Sequence, residues 1–381
     1  MNFDFSEEQK MLRAVARKFL KENCSPGVVR RMLDGDAPYD EKLWKGICEL
    51  DWPGTAVPES YGGIGYGYLE LCVLAEELGR VIAPIPFSSS AYMAAEALHI
   101  AGNERQRKKY LPRLASGEAI GTCALAEGVT IGAHWHMETI VRDGKLHGTN
   151  APVADGCVAD LLIVAARSSA ASGVLKLYVV EPSEKGITRE TIQTIDPTRP
   201  HARVTFDAVA AEPLGSGESH ERLIEKLKDR AAVLLAFEQL GGADAALEMA
   251  TEYAKSRYAF GRPIGSFQAI KHKLADAFIR NELARSNCYF AAWALSSDAE
   301  ELPIAAASAR IAATEAFEYI AAENIQTHGG IGFTWESDCQ LFYRRSKLLA
   351  LTLGSVRSWK NRLIDQLECQ ASVKPELAGV D

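Results

Sequence analysis

No apolar run in this 381-residue sequence reaches the roughly 20 residues that a membrane-spanning helix needs. Its first residues, Met1-Asn2-Phe3-Asp4-Phe5-Ser6-Glu7-Glu8, hold neither a basic stretch nor an apolar one, so no secretory leader is expected. The eight cysteines (Cys24, Cys48, Cys72, Cys123, Cys157, Cys288, Cys339 and Cys369) include no C-x-x-C pair, and reduced thiols in a cytoplasmic protein are expected. Basic residues do not outnumber acidic ones; the formal net charge is −8, which gives no electrostatic footprint for nucleic acid. His134 and His136 flank Trp135, but only Glu138 stands near them as a further donor, and no metal site is expected. Internal repeats and low-complexity tracts are also missing.

What is present falls into three stretches. Residues 1–119 read as helical. Ser6 is placed to cap a helix on which Met11, Leu12, Val15, Phe19 and Leu20 recur at helical spacing. Further helices are expected over Asp40–Leu50, Tyr68–Arg80, Ala91–Ile100 and Glu104–Leu114, with a breaker-rich loop from Trp52 to Gly63.

Residues 120–219 change character. Strands are expected over 121–126, 161–166, 175–180 and 202–206, and Glu138–Thr149 reads as a hairpin through its Asp143-Gly144 turn. Short strands separated by turn residues point to a small β-barrel or sandwich. Residues 220–371 are helical again: Glu221–Ser256, interrupted only at Gly241-Gly242, then Gln268–Leu295, Leu302–Gln326, Cys339–Leu351 and Ser355–Glu368. Long helices joined by short loops give a helical bundle of four-helix type. Residues 372–381 read as a loose tail. The fold class is α+β and multidomain: N-terminal helical domain, middle β domain, C-terminal bundle.

Two segments carry chemistry. Arg257-Tyr258-Ala259-Phe260-Gly261-Arg262-Pro263-Ile264-Gly265-Ser266-Phe267-Gln268 has the pattern R-x-x-F-G-x-x-I-x-x-x-Q. Gln326-Thr327-His328-Gly329-Gly330-Ile331-Gly332 has the pattern Q-x-x-G-G-x-G. A paired glycine after a helix usually serves only as a cap, and an arginine at a helix end usually only meets the dipole. Both patterns in this order and this architecture resemble the acyl-CoA dehydrogenase family, over nearly the whole chain.

The resemblance implies FAD lying between the β domain and the bundle and reaching across a subunit interface. It implies Arg257 on the pyrophosphate, where a planar guanidinium offers parallel donors. Phe260 becomes an apolar floor and Gln268 a partner for the adenosine end. Ile264, Gln326, Gly329, Gly330 and Ser355 complete the implied contacts; glycines let a backbone approach a phosphate closely. An acyl-CoA substrate, an electron-transfer flavoprotein as acceptor, and a homo-oligomer or a hetero-oligomer with a homologous subunit follow from the same resemblance.

The chain also departs from the family. Ala126–Ala133 stands where members often carry Thr-x-Pro-x-Ala-Gly-Ser-Asp beside the flavin ring. Pro152 and Ala154 stand where an aromatic residue and an N5-bonding hydroxyl are common. Leu353, in Thr352-Leu353-Gly354-Ser355, occupies the place of the usual catalytic glutamate, and leucine cannot accept a proton.

Some members carry the base on the first bundle helix; spacing from Arg257 puts that place near Ala231. Glu238 and Glu127 are candidate substitutes. For Glu238 the plainer expectation is an ion pair with a neighbouring helix, and for Glu336 a helix-end carboxylate. Three explanations stay open. The chain is one half of a heteromeric enzyme, resembling the divergent bacterial branch that oxidises steroid-type side chains; or another of its acids is the base; or it binds flavin without dehydrogenase chemistry. Pro152, Ala154 and the small-residue run Pro84–Ser90 suggest a roomy cavity for bulky acyl groups.

Overall fold

A computed structural model describes residues 5–126, 137–169, 173–182, 185–217 and 219–373. Six helices come first: α1 (Glu7–Asn23), α2 (Pro26–Leu33), α3 (Glu41–Cys48), α4 (Tyr68–Arg80), α5 (Ala95–Ala101) and α6 (Glu104–Ala115). Ser6 opens α1 with a reciprocal capping pair. The Gln9 N–H donates to Ser6 Oγ at 3.2 Å and the Ser6 N–H to Gln9 Oε1 at 2.8 Å. Helix α2 was not legible in the sequence; Pro26 starts it, where a missing N–H costs nothing. A buried π-helical turn, Ser88–Ala94, runs straight into α5.

Eight strands follow: β1 (Gly121–Ala124), β2 (Ile140–Arg142), β3 (Lys145–Ala154), β4 (Leu161–Ser168), β5 (Leu175–Val180), β6 (Ile187–Ile192), β7 (His201–Ala210) and β8 (Glu212–Pro213). The sheet order is β6-β7-β3-β2-β4-β5-β8, with β1 also on β4, so the sheet is mixed and is not a closed barrel. Its two halves nevertheless share an interior: Leu162, Val164 and Ala166 of β4 belong to one apolar cluster with Leu146, Val204 and Phe206. The alternate residues Leu161, Ile163 and Ala165 pack with Leu98 of α5 and Leu111 of α6. Burial on both faces is why β4 reads as an unbroken apolar run. Strand β6 stays at an edge and exposes Arg189 and Glu190, charges that discourage edge pairing. The β2–β3 hairpin turns through Asp143 and Gly144, at φ 52° and 73°, as a two-residue turn of this kind requires.

The bundle is built from α7 (Glu221–Ser256), α8 (Gln268–Ser296), α9 (Leu302–His328) and α10 (Cys339–Leu351), with α11 (Val356–Val373) laid on α9. Between α7 and α8 a short hairpin pairs β9 (Tyr258–Ala259) with β10 (Arg262–Pro263). Helix α7 is continuous through Gly241-Gly242; the expected interruption is not there. These glycines serve packing instead. A Cβ on Gly241 would fall 1.8 Å from Glu76 O of α4, and one on Gly79 of α4 would fall 1.9 Å from Glu238 O. Gly241→Ala is therefore expected to destabilise by about 1–3 kcal/mol through overpacking. A thermal melt checks this, and an unchanged Tm would show that the helices can part without cost.

Helix α7 is buried on every side from Asp229 to Ala243. A helix so placed must be apolar all round or must bring partners for each charge it carries. Asp229, Arg230 and Glu238 do the latter, paired with Arg362, Glu96 and Arg199.

Candidate functional site

The two sequence motifs meet at one end of the bundle. Arg257 caps α7, its N–H donating to Tyr253 O at 2.8 Å. Phe260 and Gly261 form the tip of the β9–β10 hairpin at φ 53° and 79°, and the Ile264 N–H closes it onto Arg257 O at 2.8 Å. Phe260 is 95 % exposed. Gln268 opens α8 and is exposed, as are Arg257, Gln326 and Ser355, while Ile264 is half-buried. On the other side α9 ends at His328, whose ring stacks on Tyr253 with centroids 4.1 Å apart. That contact joins the last turn of α7 to the start of the paired-glycine turn, Gly329–Phe333.

The three glycines of this turn do different work. A Cβ on Gly329 or Gly330 would meet nothing within 4 Å, whereas one on Gly332 would fall 2.5 Å from Ile325 O. Gly332 is packing; Gly329, at φ 64°, and Gly330 leave backbone open to the outside. Tyr258, Phe260, Ile331, Phe333 and Trp335, on the hairpin and on or just after the paired-glycine turn, are all large, apolar and exposed.

Leu353, expected at the place of the usual base, lies elsewhere, in the 352–355 loop between α10 and α11. Leu353 sits at φ 60° and packs on the main core and on the Ala232–Ala307–Trp359 cluster. Buried Arg310 of α9 holds the loop: its Nη2 donates to Thr352 O at 2.8 Å and also to Leu349 O, while Nη1 reaches Thr314 Oγ1 at 3.1 Å and Gln239 Oε1. Burial pulls this guanidinium down to about 10, because charge is costly in the interior. Ala231, the alternative place for a base, is fully buried on α7.

Glu238 is buried between two arginines. Arg199 Nη2 donates to its Oε1 at 2.5 Å, and Arg345 Nη1 lies 3.5 Å from the same oxygen. Arg345 is fixed in turn by Asp196 Oδ2 at 2.6 Å and Thr198 Oγ1 at 2.8 Å, and Arg199 also donates to Ser88 Oγ. This cluster joins the 193–200 loop of the sheet, the π-helical turn, α7 and α10. Glu127, the other candidate carboxylate, lies outside the described residues, as do His134, His136 and most of 126–133. Glu336 is exposed, and its side chain is held low by hydrogen bonds from its own backbone N–H and from Thr334.

The small-residue run 84–90 is buried and its hydroxyls are engaged. Pro84, Ile85 and Phe87 are buried, Ser89 donates to Asp155 Oδ2 at 2.6 Å, and Ser90 Oγ accepts from the Gly121 N–H at 3.2 Å. Small hydroxyl side chains here make room for buried arginine and aspartate. Pro152 is exposed and Ala154 half-buried on the face of β3 opposite Val153.

Sequence reasoning did not find Asp229 as a cleft residue. A cleft of about 810 Å³ opens between α7, the α8–α9 turn and α11, and its lining includes Arg222, Lys226, Asp229, Pro303 and Arg362. Asp229, Pro303 and Arg362 lie three or four positions, one helical turn, from Ala232, Ala307 and Trp359, which touch Leu353. The cleft thus adjoins the usual base position.

Arg362 grips Asp229 at both oxygens, Nε at 2.9 Å and Nη2 at 2.7 Å. Burial pushes the Asp229 carboxyl up to about 6, against the pull of Arg362. A carboxyl raised above its unfolded value binds its proton more tightly in the folded chain. Its favourable contribution is complete below about pH 4 and is lost as pH rises through about 6. Asp229→Asn is thus expected to gain roughly 2–3 kcal/mol relative to wild type between pH 4 and 7. Urea unfolding across that range measures the difference; a gap that stays constant with pH would contradict it.

Residues 6–118 match the acyl-CoA dehydrogenase N-terminal domain family and residues 222–365 the acyl-CoA dehydrogenase C-terminal domain family. The chain belongs to the acyl-CoA dehydrogenase family, a family of oxidoreductases. It is 34 % identical to acyl-CoA dehydrogenase IpdE2 of Mycobacterium tuberculosis, over 94 % of this chain and 96 % of that protein. Among solved structures it is similar to a chain of a variant of the Tcur3481-Tcur3483 steroid acyl-CoA dehydrogenase. The identity is 30 %, the coverage 96 % and 99 %, and the TM-score 0.86. It is also similar to a chain of the ChsE4-ChsE5 complex from Mycobacterium tuberculosis, with 26 % identity, 97 % and 99 % coverage and a TM-score of 0.87.

Proposed function

We propose that this chain binds FAD at the notch between the Arg257–Gln268 segment and the Gly329–Phe333 turn. It serves there as one of two homologous subunits of an acyl-CoA dehydrogenase whose partner supplies the proton-abstracting carboxylate. The observation that carries the reading is the 352–355 loop: its backbone is anchored by buried Arg310, yet the residue it presents is a leucine packed into an apolar cluster. The two-component acyl-CoA dehydrogenases among its structural relatives support the same reading.

The residues of the notch suit FAD. Open space over Gly329 and Gly330 lets phosphate oxygens approach the backbone closely, although the Gly329 N–H itself donates to Gln326 O and Ile325 O. Arg257 is exposed beside them with the charge a pyrophosphate needs, and Phe260 offers an apolar surface. On this reading Gln268 would meet the adenosine end, with Gln326, Ile264 and Ser355 as further contacts. Bound there, FAD would accept a hydride from the β-carbon of an acyl thioester. A bulky, ring-bearing acyl group follows the steroid acyl-CoA dehydrogenase among the relatives. Electrons would pass to an electron-transfer flavoprotein, and the assembly would work in the cytoplasm; no helix of the described residues is long and apolar enough to cross a membrane.

A second reading rests on Asp229, a cleft carboxyl raised toward neutrality as a general base requires. Anaerobic flavin bleaching by a panel of straight, branched and ring-bearing acyl-CoA substrates decides between them. The heteromeric reading expects no bleaching by this chain alone and bleaching once it is co-expressed with a homologous subunit. Bleaching by this chain alone, lost in Asp229→Asn, would establish the second reading instead.

A further inference from the structure

The paired-glycine turn is held from two sides. Upstream, α9 fixes it through Gly332 against Ile325 O and through the His328–Tyr253 stack. Downstream the chain must cross residues 334–338 before α10 begins, and the Ser337 N–H reaches Thr334 O only at 3.3 Å. Much of the hold on that crossing comes from one side chain of α2, more than three hundred residues earlier in the chain.

Arg30 Nε and Nη2 both donate to Asp338 Oδ1, at 2.9 and 2.6 Å. Nη2 also reaches Glu336 O at 2.9 Å, and Nη1 donates to Trp335 O. One planar guanidinium thus ties two consecutive backbone carbonyls and a carboxylate into a fixed shape, which a single-point ammonium cannot do. Within α10, Gln340 Nε2 adds a donor to Trp335 O at 3.0 Å, and Arg344 lies over the Trp335 ring at 5.7 Å.

We propose that Arg30 is the positioning residue that fixes the paired-glycine turn, so that a side chain of the N-terminal helices governs how tightly the chain keeps FAD. The effect on FAD rests on the cofactor reading given above; the effect on the turn does not. Freed of Arg30, residues 334–338 explore more conformations, and open backbone at Gly329 and Gly330 must be ordered again each time an anion binds.

The test uses the full chain, co-expressed with its homologous subunit, in four forms: wild type, Arg30→Ala, Arg30→Lys and, as a control, Arg80→Ala. Arg80 makes a comparable part-buried ion pair between α4 and α7, with Glu248 at 2.5 Å and with Asp244 at 3.5 Å. Two readouts are taken below the melting temperature: amide hydrogen exchange over residues 329–338, and the FAD dissociation constant from flavin fluorescence. Arg30→Ala is expected to speed exchange there and weaken FAD roughly tenfold, as the loss of charge-assisted hydrogen bonds implies. Arg30→Lys should recover part of both, and Arg80→Ala should move neither, whatever it does to Tm. Unchanged exchange in Arg30→Ala would overturn the proposal, and so would faster exchange with FAD affinity unaltered. Faster exchange in an assembly whose wild type takes up no FAD would leave the coupling of Arg30 to the turn supported and would refute the cofactor reading instead.

Discussion

Glu238→Ala is expected to cost about 3–5 kcal/mol of stability, the usual result of removing one partner from a buried ion pair. The substitution leaves Arg199 and Arg345, both buried, with less negative charge than they were placed to meet. Glu238→Gln should cost less, because an amide oxygen can still accept from Arg199. The pair of variants also separates two roles for this carboxylate. If Glu238 is the joint between the sheet, the π-helical turn and the bundle, Glu238→Gln keeps flavin bleaching in the assembled enzyme while Glu238→Ala lowers Tm. Were it the base, Glu238→Gln would abolish bleaching in a chain that still melts normally. Thermal melts and anaerobic bleaching of the same preparations tell these apart.

A gain of function is expected at Leu353. Leu353→Glu places a carboxylate on a loop whose backbone is already held by Arg310. The new side chain would enter an apolar cluster beside Trp359, whose buried Nε1 has no hydrogen-bond partner among the described residues. Desolvation there would raise the carboxyl toward the range where a general base works best. Paired with a homologous subunit whose own carboxylate has been removed, Leu353→Glu is expected to bleach flavin on the order of 10²–10⁴ times faster than wild type. Rapid-mixing absorbance gives the rate. No increase, from a folded and flavin-loaded assembly, would mean that the 352–355 loop no longer faces the thioester.

Much of the architecture was open to reading in the sequence because its signals are local. Ser6 and Gln9 announce α1, Asp143-Gly144 announces the β2–β3 turn, and the two motifs sit at the ends of α7 and α9 as their residues imply. What stayed hidden depends on residues far apart in the chain. Gly241-Gly242 looks like a break until α4 is known to lie against it. The run Pro84–Ser90 looks like open space until Arg199 and Asp155 are seen to occupy its hydroxyls. Arg310, Arg345 and Arg30 each act on acceptors dozens to hundreds of positions away, and nothing in their own neighbourhoods marks them. The middle sheet was expected as a barrel or sandwich from strand length alone. Its open path is set by pairing order, which strand length does not encode.

The central claim is that Arg257 and the paired glycines jointly hold FAD, and the FAD dissociation constant of Arg257→Ala and Gly330→Val tests it most directly. Both residues are exposed, and a Cβ on Gly330 would meet nothing within 4 Å. Each variant, assembled with its homologous subunit, is therefore expected to keep the wild-type Tm without cofactor. FAD binding is expected to weaken by roughly tenfold or more, the scale of losing a charge-assisted contact. Wild-type affinity in both variants would contradict the account.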